Sequence, residues 1–294
     1  MDQSAVQTRA PTGVVTLKPL GCQGDPIDWD PIASSGAMSA FCGIVAGFVF
    51  AGIVTVIGVR NPPGGDGHGA RGLRLLLPCF TGLATASYLY AVIAGERVCS
   101  RANTEAVLAG AILGADTVVV IAALAWLLRA YERDTHGEVR FFRGLVHFTA
   151  QFAAFILTGS SMIFVHAILG SRVSPWADAT MSASGAALMA VLLRCWWRAP
   201  PTPPPPWASD HWLHEVFYAR RVTTCTWTSL SMTGLLALGA GVASSVPHGT
   251  WGSPAPWLVY ACGQIALMAA GAILITAVRA VPTEVPDPTA RPVW

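Results

Sequence analysis

Two ionisable residues, Glu105 and Asp116, stand inside one long apolar stretch of the chain, and a third, Arg101, stands at its end. Charged side chains within a membrane-spanning segment are costly and therefore mark candidate sites by default. Arg101 and Glu105 are four residues apart, which on a helix places them on one face and within reach of an ion pair. Asp116 lies deeper, near the middle of the same stretch. Two readings follow: a structural ion pair near the interface beside one buried carboxyl, or a path for an ion or proton. With Thr104, Gln151 and Gln264 these residues form the candidate ion path or polar core.

Other chemistries find less support. His147 and His166 fall on one predicted helix, about 28 Å apart at the usual rise, too far to share a metal. His211 and His214 can share a helical face, but no third ligand is evident, so no metal site is expected. No serine sits in a nucleophile elbow and no paired-histidine motif lies within a span, so no enzyme is expected. Asp178 opens a span near the surface and reads as solvated.

The elements that must position these residues follow from composition. Of 294 residues 53% are hydrophobic and only 12% charged, the profile of a membrane protein. A net charge of +2 points to no nucleic-acid partner. The first thirty residues contain no apolar core and do not read as a signal peptide. Seven hydrophobic runs follow, at about 36–59, 74–95, 104–128, 145–169, 177–197, 223–246 and 255–279, each near the ~20 residues needed to span a bilayer as a helix. Helix is the form that closes all backbone hydrogen bonds in hydrocarbon. The fold class expected is therefore all-α integral membrane, a seven-helix bundle over 34–280 between an extracellular tail, 1–33, and a cytoplasmic tail, 281–294.

Arginines orient it. The first, third and fifth connections hold Arg60, Arg71 and Arg74; Arg129, Arg133, Arg140 and Arg143; and Arg194, Arg198, Arg220 and Arg221. The even connections carry only Arg97, Arg101 and Arg172. The positive-inside rule then puts the N-terminus outside and the C-terminus in the cytoplasm, in the plasma membrane. The fifth connection, 198–222, contains the polyproline spacer 199–207 and then a segment at 210–218 that suits a surface helix or an inner extension of the sixth span. Cys22 and Cys99 are the two cysteines assigned to the outer side beyond a span, so a bridge between them is one expectation and two free thiols the other. Cys42, Cys79, Cys225 and Cys262 read as small packing residues.

Local sequence adds a resemblance. The sixth span opens Arg220-Arg221-Val222-Thr223-Thr224-Cys225-Thr226-Trp227, which resembles the sixth helix of microbial (type I) rhodopsins, with Trp227 on the tryptophan that packs against retinal. Ala86-Ser87-Tyr88-Leu89-Tyr90 is similar to a second-helix segment of halorhodopsin-like members, with Tyr88 on the pocket tyrosine, and Arg101 fits the arginine beneath the extracellular gate. The seventh span aligns without gaps to the helix that carries the retinal lysine.

At that position the chain has Leu267, and its single lysine is Lys18. Without an amine no retinal Schiff base forms, so no covalent cofactor is expected. Gly263 replaces the seventh-helix aspartate, Thr104 a third-helix counterion carboxylate and Glu105 the third-helix tryptophan. Ala115 stands near the inner proton donor, with Asp116 one residue off register. Leu230, Ser231 and Gly234 replace the sixth-helix tyrosine, proline and second tryptophan. Loss of the buried cation together with its counter-charges is coherent, because an unpaired buried carboxylate is expensive. The resemblance thus implies a rhodopsin-like bundle with a vestigial pocket of Tyr88, Trp227, Leu230, Gly234, Gly263 and Leu267.

The function expected is a non-photochemical sensor, scaffold or passive ion pathway. Alternatives are non-covalent binding of retinal, a carotenoid or a lipid, a membrane subunit of a larger complex, and an unrelated seven-span transporter. Expected partners are membrane lipids and other membrane subunits, in a homo-oligomer or hetero-oligomer.

Overall fold

A computed structural model describes residues 30–58, 67–131, 136–197, 211–247, 251 and 254–282, with the side chains of 131–140 and 211–215 outside that description. The described residues form seven long helices and no strand: α1 (Pro31–Gly58), α2 (His68–Ala94), α3 (Cys99–Tyr131), α4 (His136–Leu169), α5 (Pro175–Trp197), α6 (His211–Ser245) and α7 (Pro256–Ala280). All seven are long and apolar enough to cross a membrane. Most of the N-terminal tail, the polyproline spacer and most of the C-terminal tail lie outside the described residues.

Local sequence sets the helix starts. Asp30 caps α1, its Oδ1 accepting from the amides of Ile32 at 2.9 Å and Ala33 at 3.2 Å, while Pro31 supplies a first residue that needs no donor. Pro175 and Pro256 open α5 and α7 in the same way. Several helices start earlier than their apolar runs, because the flanking arginine-bearing turns are helical too. The segment at 211–218 is continuous with α6, so it extends the sixth span rather than forming a separate surface helix. At the end of α4, Gly170 takes φ 52°, a left-handed turn suited to glycine, before the short link into α5.

Helix α3 is the centre of the bundle, packed by α2, α4, α6 and α7 and touched by α1. Accordingly it is buried nearly all the way round, from Ala102 to Trp126. Helix α1 lies against α2, α5 lies against α4 and α7, and α6 packs on α2, α3 and α7. The buried stripe of α6 is Tyr218, Val222, Cys225, Ser229, Thr233, Leu236, Ala240 and Ala243, spaced by threes and fours. Its small and hydroxyl side chains allow close helix approach without lipid between.

One end of the bundle holds the α2–α3, α4–α5 and α6–α7 connections. At the other, Trp126 of α3 donates from Nε1 to the Ala280 carbonyl at 2.7 Å, ties α3 to α7, and meets Tyr218 edge-on with ring centroids 5.6 Å apart. The Arg71 guanidinium lies over the same indole at 5.1 Å and reaches His68 Nδ1 at 2.9 Å.

Candidate functional site

The polar residues of α3 meet those of α6. Asp116 is wholly buried (0% exposed), and Ser229 donates to its Oδ1 at 3.3 Å. Its Oδ2 has no hydrogen-bond partner among the described residues and lies against α2 at Gly82. A Cβ on Gly82 would overlap that oxygen and come within 2.7 Å of Cγ, so glycine is what admits the carboxyl. Cys79 of α2 and Cys225 of α6, both buried, stand one turn from Gly82 and Ser229 respectively. The Thr226 hydroxyl donates to the Arg74 carbonyl at 3.1 Å and ties α6 to α2 about two turns of α2 away from Gly82.

Toward the α2–α3 end lies a second acidic group. Glu105 is 1% exposed, and Ser244 donates to its Oε1 at 2.7 Å. Arg101 Nε lies 3.7 Å from the same oxygen, the expected four-residue pair, but the closer partner of Arg101 is Glu96. Arg101 Nη1 also donates to the Ser244 carbonyl at 3.1 Å, so one arginine joins two acids and the end of α6. Glu105 Oε2 is buried and has no hydrogen-bond partner among the described residues. Thr104, buried beside it, turns its hydroxyl back to the Ser100 carbonyl at 2.8 Å. Ser100 in turn donates to the carbonyl of Trp251 at 2.8 Å.

Glu96 was not among the expected site residues. It sits in the four-residue link between α2 and α3 and accepts from the amides of Arg97 at 2.8 Å and Val98 at 3.2 Å. Burial pushes its carboxyl up, but these amides and the Arg101 guanidinium outweigh that and hold it below the ordinary carboxylate range. The signal available in sequence was an acid in a very short connection, five residues before an arginine.

Glu105 and Asp116 are separated by three helical turns, about 16 Å, and differ by only about 20° in helical direction. Both therefore face α6, which answers each with a serine, Ser244 and Ser229. Between them the positions are apolar: Leu108 and Ile112 on α3, Leu236 and Ala240 on α6, all buried. Thr233 breaks this run, its buried hydroxyl one turn from Ser229 and without a hydrogen-bond partner among the described residues. The site is two carboxyl stations on one seam with an apolar stretch between them.

The vestigial pocket does not assemble. Tyr88 is 69% exposed and Trp227 65% exposed, on the outward faces of α2 and α6, while Leu267 is buried in α7. On α2 the inward stripe runs Cys79, Gly82, Ala86 and Tyr90, so Tyr90 is buried and Tyr88 turns away. On α6, Cys225 and Ser229 face inward, which rotates Trp227 to the outside; a seam this narrow has no room for an indole. Gly234 is exposed and opens no interior cavity, and Leu230 is half-buried. Gly263 faces Met181 and Phe164, and a Cβ there would lie 3.0 Å from Met181 Cε, so that side of α7 packs on α4 and α5.

The remaining expectations fall as follows. Gln151 and Gln264 are half-buried on α4 and α7. Asp178 is not simply solvated: its Oδ1 lies 3.1 Å from His166 Nε2, joining α4 to α5. His147 is buried edge-on against Trp196, with ring centroids 4.8 Å apart. The His211 and His214 side chains lie outside the described residues. Cys99 is disulfide-bonded, and its expected partner Cys22 lies outside the described residues. Among the described residues no group of three histidine, cysteine or acidic side chains is placed to hold a metal.

No family model, no curated protein and no solved structure matches this chain.

Proposed function

We propose that the chain is a multi-pass plasma-membrane protein, N-terminus outside, whose α2–α3–α6 seam serves as a passive ion pathway with carboxyl stations at Glu105 and Asp116. One observation carries this reading: two buried acids share a face of the central helix, each is met by a serine of α6, and each leaves one oxygen without a hydrogen-bond partner among the described residues. A carboxylate buried without a cation costs several kcal/mol or more. The open oxygen of Asp116 is therefore the place for a mobile positive charge. Asp116 and Ser229 supply three oxygens, fewer than the six to eight that calcium takes. A proton or small monovalent ion fits better. The likeness to microbial rhodopsins belongs to the proposal as a likeness of span order and of Arg101 at the outer end of the third helix; the ion reading does not require it.

The test is flux in proteoliposomes carrying an entrapped pH-sensitive dye, with a potassium gradient and valinomycin as driving force, repeated with sodium inside. The intact protein should conduct above empty vesicles, and Asp116→Asn and Glu105→Gln should each lower the rate at least tenfold. Flux at the level of empty vesicles, or flux that neither variant changes, removes the pathway.

A further inference from the structure

The helix faces that meet at Asp116 continue past it. On α2, Arg71 stands eleven residues before Gly82, and on α6, Tyr218 stands eleven residues before Ser229. Eleven residues make three turns, about 16 Å, with a change of only about 20° in helical direction. Arg71 and Tyr218 therefore lie on the same seam as the carboxyl, at the end of the bundle opposite Glu105. Trp126 of α3 comes between them. The Arg71 Cζ lies 5.1 Å from the indole centroid, and the Tyr218 ring meets the indole edge-on at 5.6 Å.

This layer closes the seam. Trp126 is 1% exposed, Arg71 7% and Tyr218 9%. The indole donates to the Ala280 carbonyl at 2.7 Å and the guanidinium to His68 Nδ1 at 2.9 Å, so α2, α3, α6 and α7 all contribute to it. Between it and Asp116 stand Leu75 and Cys79 of α2 and Val222 and Cys225 of α6, all buried. Arginines at span ends ordinarily reach out to water and headgroups, and at this end Arg74 and Arg220 are exposed. Arg71 instead turns inward over the indole. Its charge stands in line with the two carboxyl stations and opposes a cation that leaves past it.

We infer that Trp126 and Arg71 form the exit barrier of the seam and set the rate at which a cation passes between Asp116 and the water at that end. The inference deepens the pathway proposed above and rests on it. The indole blocks by volume and the guanidinium by charge, and passage requires the indole to turn off Tyr218. Asp116 holds the ion, whereas Trp126 governs its release.

Cys225 lies between the barrier and Asp116 and is a free thiol, so it reports access from that end. The full chain in nanodiscs, which leave both faces open, is treated with a cationic, membrane-impermeant methanethiosulfonate, and peptide mass spectrometry reads the modification. Cys225 should stay unmodified in the intact protein and react in Trp126→Ala. In the proteoliposome assay above, Trp126→Ala should raise flux about tenfold. Adding Asp116→Asn should remove that gain, which a bundle leaking through a packing defect would keep. Circular dichroism checks that each variant is folded. Should Trp126→Ala not fold, Tyr218→Ala removes the ring that rests on the indole and carries the same two readouts. Modification of Cys225 in the intact protein overturns the barrier, and so does flux through the intact protein that folded Trp126→Ala leaves unchanged. Vesicles that conduct with neither protein remove the pathway itself.

Discussion

Gly82→Ala is the sharpest probe of how the seam is built. The added Cβ would overlap Asp116 Oδ2 and press on Cγ at 2.7 Å. Overpacking a well-filled interior costs ~1–3 kcal/mol, least where a flexible tip can swing aside. Here the obstructing group is a short carboxyl held by Ser229 at 3.3 Å and fully enclosed, so it can retreat only by giving up that bond and pushing on α6. The upper part of the range, about 2–3 kcal/mol, is expected. Asp116→Ala removes the obstruction, and in that background Gly82→Ala should cost under ~0.5 kcal/mol, leaving a coupling energy of about 2 kcal/mol. Reversible unfolding in mixed micelles with increasing dodecyl sulfate, followed by circular dichroism, measures all four corners of the cycle. Equal loss on adding the methyl with aspartate or with alanine at 116 would show that the two side chains are not in contact, and the seam would lose its geometry.

Three further outcomes follow from the same contacts. Arg101→Gln leaves Glu96 and Glu105 without their shared cation and should destabilise the bundle by ~3–5 kcal/mol, far more than Arg97→Gln on the exposed side of the link; comparable effects of the two changes would contradict the network. Because the Glu96 carboxyl is held below its ordinary range, its contribution is complete above the unfolded pKa and is lost as pH falls through the folded one. Glu96→Gln should therefore flatten the acid limb of thermal stability below about pH 4.5 and lower stability above it, read by melting scans from pH 3 to 7. Asp116→Val replaces a half-satisfied buried carboxyl by an apolar side chain of similar size and should stabilise the fold by ~1–2 kcal/mol; a loss above ~3 kcal/mol would make Asp116 a structural tie.

The seven helices were legible because length and hydropathy suffice for them, and the α6 extension was one of two forms anticipated. Arg101, Glu105 and Asp116 were legible because an ionisable group in an apolar run is conspicuous. Which way each helix turns was less so. On α2 the choice between Tyr88 and Tyr90 depends on a stripe of small residues that the alignment by resemblance overrode. On α6 the same happened at Trp227: the aromatic residue drew the reading inward, whereas Cys225, Ser229 and Thr233 are the ones small enough for the seam. Gly82 is one glycine among 29, and only its approach to Asp116 separates it from the rest. Glu96 was overlooked because the positive-inside argument weighs only basic residues in connections.

The three acids of this region are treated in opposite ways, and that contrast is the strongest argument about use. Glu96, nearest the bundle end, receives two amides and a guanidinium. Glu105, a few turns deeper, has a serine and the more distant edge of the same arginine, with one oxygen left over. Asp116, deepest of all, has one long hydrogen bond and a glycine cleared to receive it. Satisfaction falls as depth rises, the reverse of what stability alone favours, since desolvation is most severe where hydrocarbon is farthest from water. A carboxyl kept for packing would be the best satisfied where it is most costly. One kept to exchange a positive charge, as proposed above, needs an oxygen that no protein group already holds, and Asp116 Oδ2, packed against Gly82, has no hydrogen-bond partner among the described residues.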